Sequence, residues 1–195
     1  MVPGVVVMGR LILILGGARS GKSSHAQELA AGLGERVIYL ATAEPGDPEM
    51  KARIIAHRQN RPPGWITLEF PKGIGNQLPE EIRQAEVIVL DCLTLQITNQ
   101  VLDASPDPDH PDELAAEKRV MAGLDALLDA VRSTDSHWIV VSNEVGLGLV
   151  PPYPLGRLFR DLLGMANRRL AAAADEVHWM AAGIPVPIHP FRKTA

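Results

Sequence analysis

The chain has almost no cysteine: Cys92 is its only one, so no internal disulfide can form. That usage suits a reducing compartment. No run of residues reaches the roughly 20 apolar positions that cross a bilayer. The first ten residues, MVPGVVVMGR, have no basic start and too short an apolar stretch for a secretory signal. Met8 is a second possible start, and the structured pattern begins at Leu11. There is no excess of basic charge either. A formal net charge of -4 argues against general nucleic-acid binding, which needs a clustered cationic surface. No internal repeat is visible, and no Cys/His spacing suggests zinc. The expectation is a cytoplasmic protein with no stable membrane insertion and no nucleic-acid partner.

What is present is a well-mixed globular composition. Over 195 residues, 46% are hydrophobic, enough for one domain with a substantial core. We read 1–10 as a flexible extension and 11–195 as a single domain. Apolar runs alternate with amphipathic stretches, the pattern of an α/β protein with a parallel sheet. LILIL (11–15), VIYLA (37–41), VIVLD (87–91) and WIVVS (138–142) are apolar on both faces, as central parallel strands are. Shorter strands are expected at 65–70 and 176–180. A last one at 184–188 carries prolines that suit a sheet edge. Helices are expected over 23–33, 48–59, 93–102, 113–132 and 155–173, with a weaker helical pattern at 73–85. ASPDPDHPD (104–112) and the Gly/Pro-rich segment 143–154 read as loops.

The strongest motif lies between the first strand and the first helix. Gly16, Gly17, Ala18, Arg19, Ser20, Gly21, Lys22 and Ser23 satisfy G-x-x-x-x-G-K-[ST] in full. Glycines let backbone N–H groups approach phosphate oxygens, and the helix N-terminus adds unsatisfied donors and a positive dipole end. Lys22 can bridge the β and γ phosphates, and Ser23 can ligate Mg²⁺. Asp91 ends an apolar strand, where such folds hold Mg²⁺ or its water, though a strand-end carboxylate is also an ordinary turn or capping residue. These motifs imply a nucleotide-binding protein. They do not choose among a kinase, an NTPase and a nucleotide-gated switch or binding module.

Beyond the cradle, the ordered segments YLATAE (39–44), DPEMKARIIAHRQNRP (47–62), VIVLDCLTLQITN (87–99), SNEVGLGLVP (142–151) and LGRLFRDLLGMANRRLAAAADEV (155–177) resemble one family. It is the bifunctional adenosylcobinamide kinase/adenosylcobinamide-phosphate guanylyltransferase family of cobalamin biosynthesis. The resemblance runs from about 11 to 188. It implies a P-loop NTPase-like, three-layer α/β/α fold with a mostly parallel central sheet. It implies phosphorylation of adenosylcobinamide by ATP or GTP, then GMP transfer from GTP to adenosylcobinamide phosphate through a guanylylated histidine. It also implies a homotrimer.

The resemblance makes His57 that histidine, with Lys22 as the other catalytic residue. Locally, His57 reads only as a surface histidine on a polar helix end, and it is the family match that reverses this. Nucleotide contacts are implied at Ala41, Thr42 and Ala43, at Arg58, Gln59, Asn60 and Arg61, and at Glu69 and Asp91. Arg58 and Arg61 can neutralise a triphosphate and leaving pyrophosphate. Glu69 is either a solvated charge or an acceptor for the guanine N1–H and N2–H₂ edge. Asp91 keeps two roles, metal support and nucleotide contact. Asn143 and Glu144 can position metal, substrate hydroxyl or a loop, or simply form a turn. Arg157, Arg160, Arg168 and Arg169 read as a solvated helix face. His25, His110, His137, His178 and His189 read as structural or exposed.

Overall fold

Strands that are apolar on both faces must be covered on both faces, and the computed structural model shows how. It describes residues 9–46, 48–59, 61–74 and 78–188. Strands β1 (Leu11–Gly16), β2 (Val37–Ala41), β3 (Ile66–Glu69), β4 (Val87–Asp91), β5 (His137–Asn143), β6 (Glu176–Ala181) and β7 (Ile184–Ile188) form one sheet. Its order is β3-β2-β4-β5-β1-β6-β7. Every pairing is parallel except β6 with β7. The mostly parallel α/β sheet with a C-terminal edge strand is therefore as expected.

Alternation along the strands sorts the core into two layers. Leu11, Leu13 and Leu15 point to the side packed by α4 (Leu93–Ala104), α5 (Glu113–Arg132) and α6 (Pro154–Ala173). Ile12, Ile14, Tyr39 and Val89 point to the other side, where Ala26 and Ala30 of α1 (Lys22–Leu33) pack. Small residues on α1 let it lie close to the sheet, which brings its N-terminus to the carboxyl end of β1.

The remaining helices are α2 (Pro48–Gln59) and the short α3 (Glu80–Arg83). The helical pattern at 73–85 is realised only as α3. Gly73 has φ +119°, outside the helical region, and Pro79 is the N-cap of α3, which therefore starts at Glu80. Residues 75–77 lie outside the described part. α4 satisfies the carbonyls of the segment after β3: Asn99 donates to Pro71 (2.9 Å) and Gln100 to Lys72 (2.8 Å). The other helices follow the sequence pattern closely. Asp112 caps α5 by accepting from the Ala115 N–H at 2.9 Å, and Pro154 opens α6.

A buried polar chain ties α4, β5 and α6 together beneath the cradle. The Ser142 hydroxyl donates to Asn167 Oδ1 (2.7 Å), Asn167 Nδ2 donates to the Asn143 carbonyl (2.9 Å), and the Asn143 N–H donates to Thr94 Oγ1 (2.7 Å). Such a network rigidifies when every member is satisfied, and losing one member leaves buried groups unpaired. Asn167→Ala should therefore lower stability by about 1–3 kcal/mol. Urea denaturation should show a lower midpoint with an unchanged m-value.

Candidate nucleotide site

Gly16 is paired on both sides of the sheet, with Asn143 on β5 and Met180 on β6. A β-carbon at this position would lie 2.7 Å from the Met180 carbonyl oxygen and 2.8 Å from Ser20 Oγ. The chain then turns sharply through Arg19 (φ +57°) and Gly21 (φ +93°) before α1 begins. The β6–β7 turn braces this loop: the Gly183 N–H donates to the Ser20 carbonyl at 3.0 Å. A side chain at Gly21 would meet Gly183 Cα at 3.2 Å. No acidic residue occupies the first turn of α1, so its positive end stays uncompensated.

Lys22 is buried, and its ammonium donates to the Gly17 carbonyl at 2.6 Å. Burial pulls its pKa below the ordinary lysine value, while nearby Cys92 and Asp91 push the other way. Ser20 Oγ is buried without a partner among the described residues, as a group awaiting an acceptor would be. These features fit a bound polyphosphate.

The loop opens into a cavity of about 580 Å³ at the carboxyl ends of the strands, where open parallel sheets bind ligands. Of the residues expected to bind nucleotide, Ala18 to Ser23 line it. So do Ala41, Ala43, Arg58, Arg61, Glu69 and Asp91. Gly16 and Gly17 are not among the lining residues, and Gly17 instead gives its carbonyl to the Lys22 ammonium. Thr42 is fully buried and acts structurally. Its hydroxyl donates to the Cys92 carbonyl and accepts from the Cys92 N–H, both at 2.7 Å, clamping the end of β2 to that of β4. Gln59 is exposed at the end of α2. Asn60 lies outside the described residues. His57 is on α2, in the turn between the cavity-lining Ile54 and Arg58, and its side chain also lies outside the described part.

One wall carries charge. Arg58 pairs with Glu69 at 3.1 Å, with both side chains largely exposed. An exposed pair of this kind is worth about 1 kcal/mol or less, so either partner can be drawn to a ligand at small cost. Arg61 stacks its guanidinium 3.8 Å from the Tyr39 ring centroid and donates to Thr67 Oγ1 at 3.0 Å. Its Nε–H is buried with no acceptor among the described residues.

Tyr39 was not foreseen as a site residue. Its hydroxyl donates to Asp91 Oδ2, and burial followed by the Asp91 charge raises its pKa far above the ordinary phenol value. Tyr39 and Asp91 share a sheet face because Tyr39 pairs with Val89, two residues before Asp91. The contact binds one carboxylate oxygen and leaves the other for a cation. Ser23 and Asp91 both line the cavity beside Lys22, a donor set that suits a hard cation already holding phosphate and water oxygens. Asn143 also lines the cavity, whereas the Glu144 carboxylate folds back onto the Gly146 N–H.

The other histidines have local partners. His25 Nε2 meets His178 Nδ1 at 2.9 Å, His110 contacts Asp107, and His137 Nδ1 accepts from the Arg10 N–H. His189 lies outside the described residues. Among the described residues no cluster of His, Cys, Asp and Glu could by itself hold a metal ion. Nor is any described helix long and apolar enough to cross a membrane.

A sequence model of the cobinamide kinase / cobinamide phosphate guanyltransferase family matches residues 12–188. The chain belongs to this family. Two of the family's named members are close in sequence. The bifunctional adenosylcobalamin biosynthesis protein CobU of Escherichia coli K12 is 42% identical over 180 residues, covering 91% of this chain and 99% of that protein. CobP of Pseudomonas aeruginosa, which has the same description, is 42% identical over 176 residues, covering 90% and 95%. Among solved structures, an ATPase of a bacterial type III secretion system superposes with a TM-score of 0.50 at 13% identity. It covers 92% of this chain and 57% of that one, a likeness of fold alone. This cobinamide kinase family member thus shares its overall α/β fold with that ATPase.

Cys92 provides a direct probe of the cavity. Burial, and then the Asp91 charge, push its thiol pKa up to about 11. The folded state therefore holds this proton more tightly than the unfolded chain does. That contribution to stability is present below the unfolded value, about 8.5, and is lost as pH rises through about 11. Since the thiolate is the nucleophile, alkylation of the native protein by iodoacetamide should be slow at neutral pH. The rate should climb about tenfold per pH unit beyond pH 9. A rate that levels off near pH 8.5, the ordinary thiol value, would contradict the assigned environment.

Proposed function

We propose that this protein is a bifunctional adenosylcobinamide kinase and adenosylcobinamide-phosphate guanylyltransferase. The observation that carries the reading is one cavity lined both by the phosphate cradle and by Arg58 and Arg61, in a chain that matches the family from residue 12 to 188. In the kinase step the aminopropanol hydroxyl oxygen of adenosylcobinamide bonds to the γ-phosphorus of ATP or GTP. The nucleoside diphosphate leaves, and the hydroxyl proton is released. Lys22 and the loop N–H groups hold the β and γ phosphates while charge shifts onto the leaving oxygen. Mg²⁺, with Ser23 and Asp91 as its protein contacts, would supply further charge neutralisation on the phosphates.

In the second step an imidazole nitrogen of His57 bonds to the α-phosphorus of GTP, and pyrophosphate leaves. A neutral imidazole is available for this at physiological pH. Arg58 and Arg61 stabilise the pyrophosphate charge. A phosphate oxygen of adenosylcobinamide phosphate then attacks the same phosphorus. The P–N bond breaks, His57 is regenerated and adenosylcobinamide-GDP forms. Ala41, Ala43 and Glu69 contact the nucleotide, Glu69 by accepting from the guanine edge once released from Arg58. Gln59 and Asn60 are nucleotide contacts on family reasoning, while Thr42 fixes the end of β2. The assembly is a cytoplasmic homotrimer on the same family reasoning, and sedimentation velocity tests that directly.

GTP labelled at the α-phosphate should leave an acid-labile GMP adduct on the protein, seen as added mass and lost in His57→Ala. An adduct that survives in that variant refutes the role of His57. A wild-type protein that phosphorylates cobinamide but forms no adduct is instead a plain small-molecule kinase. Lys22→Ala should weaken nucleotide binding and slow both reactions by about 100-fold or more, the scale for a lost charge stabiliser of the transition state. Full activity in that variant would refute the role given to the cradle.

A further inference from the structure

We infer that the loop 145–153 is the docking platform for the corrin macrocycle of the acceptor. This rests on the proposed function, because it takes cobinamide as the substrate. The cavity of about 580 Å³ is of ordinary size for one small ligand, which on the proposed function is the nucleotide. A corrin ring with its fringe of amide side chains does not fit beside it. The ring must rest outside the mouth, while its aminopropanol arm delivers the hydroxyl to the γ-phosphate.

The structure marks the end of the cradle from which that arm arrives. The Lys22 ammonium, which reaches the β and γ phosphates in such loops, sits against the Gly17 carbonyl. Directly beside it the Glu144 N–H donates to the Gly16 carbonyl at 3.1 Å. The loop after β5 therefore springs from the γ-phosphate end, and Asn143 at its root lines the cavity.

Four large apolar side chains of this loop are exposed. Leu147 is 81% exposed, Leu149 96%, Val150 64% and Tyr153 54%. Exposed apolar residues are ordinary when scattered, but a run of them next to a site marks an interaction surface. The loop is also held in shape. Arg157 donates to the carbonyls of Pro151 (3.2 Å) and Pro152 (2.8 Å), and Arg160 to that of Gly146 (3.1 Å). These arginines, which read as a solvated helix face from sequence, spend their donors on the loop backbone and leave its apolar side chains outward. Gly156 has no side chain to push Tyr153 away, for a β-carbon there would lie 2.5 Å from Tyr153 Cε2. A rigid apolar surface lowers the ordering cost of binding. A flat macrocycle with weakly polar faces and amides at its rim matches it: the faces cover the leucines and Tyr153, and the amides stay in water.

The test is the double variant Leu147→Ser/Leu149→Ser in the full chain. Both side chains are so exposed that their loss leaves the fold intact, which nucleotide binding by the variant verifies. Cobinamide binding is followed by equilibrium dialysis through the visible absorption of the corrin, and oligomeric state by sedimentation velocity. The expected result is cobinamide binding weakened about tenfold or more, equivalent to about 1.4 kcal/mol, with a matching rise in KM. Nucleotide affinity and oligomeric state should equal those of the wild type. Phosphorylation of free 1-aminopropan-2-ol, an acceptor without the macrocycle, should be unchanged. Wild-type affinity for cobinamide in the variant overturns the inference alone. So does a changed oligomeric state, which would assign the loop to contact with a second copy. A wild-type protein that binds nucleotide but no cobinamide overturns the proposed function as well.

Discussion

Gly16 leaves strand β1 with partners on both sides, and the space its side chain would fill is already taken by the Met180 carbonyl oxygen and Ser20 Oγ. That close approach lets the chain leave the sheet, reverse and start α1 within a few residues. Everything about the site follows from where this turn is placed. The α1 N-terminus points into the space above the sheet, Lys22 is buried against the loop it must serve, and the β6–β7 turn closes over Ser20 through Gly183. The loop's backbone donors are thereby held in place before any phosphate arrives, so that binding requires little reorganisation.

The same placement explains why the second half of the site is built differently. β4 is separated from β1 by β5, so Asp91 reaches the cavity from across the sheet and needs its own support. Thr42 clamps the ends of β2 and β4 together, and Tyr39 holds one Asp91 oxygen from below. Arg61 rests on the Tyr39 ring, so the cationic wall and the carboxylate are linked through one phenol. The cradle is thus rigid and sheet-bound. The Arg58–Glu69 wall is exposed and weakly paired, which suits a protein whose two reactions address different phosphorus atoms of a triphosphate.

The acceptor side follows from β5. The strand that separates the cradle from Asp91 also carries Asn143 into the cavity and launches the apolar loop braced by α6. The buried Ser142–Asn167–Asn143 chain fixes the root of that loop to the same helix that supplies Arg157 and Arg160. The strand beside the cradle and the apolar loop that follows it therefore share α6 as their common support.

Much of this was legible in the sequence. Runs such as LILIL and VIVLD can be satisfied only as strands covered on both faces, and GGARSGKS between a strand and a helix has one good physical use. Asp91 was visible because a carboxylate at the end of an apolar strand is conspicuous. Tyr39 was not, because a tyrosine inside an apolar run looks like core until its partner two strand positions away is known. Arg157 and Arg160 looked like a solvated helix face because their acceptors, the carbonyls of residues 146, 151 and 152, come from a loop whose path periodicity does not describe. The sequence by itself determined the order of elements, the phosphate grip and the family. Only the tertiary structure decided which polar atoms meet across the sheet and which apolar side chains remain uncovered. Those contacts depend on strand order and register, and local residue patterns do not encode either.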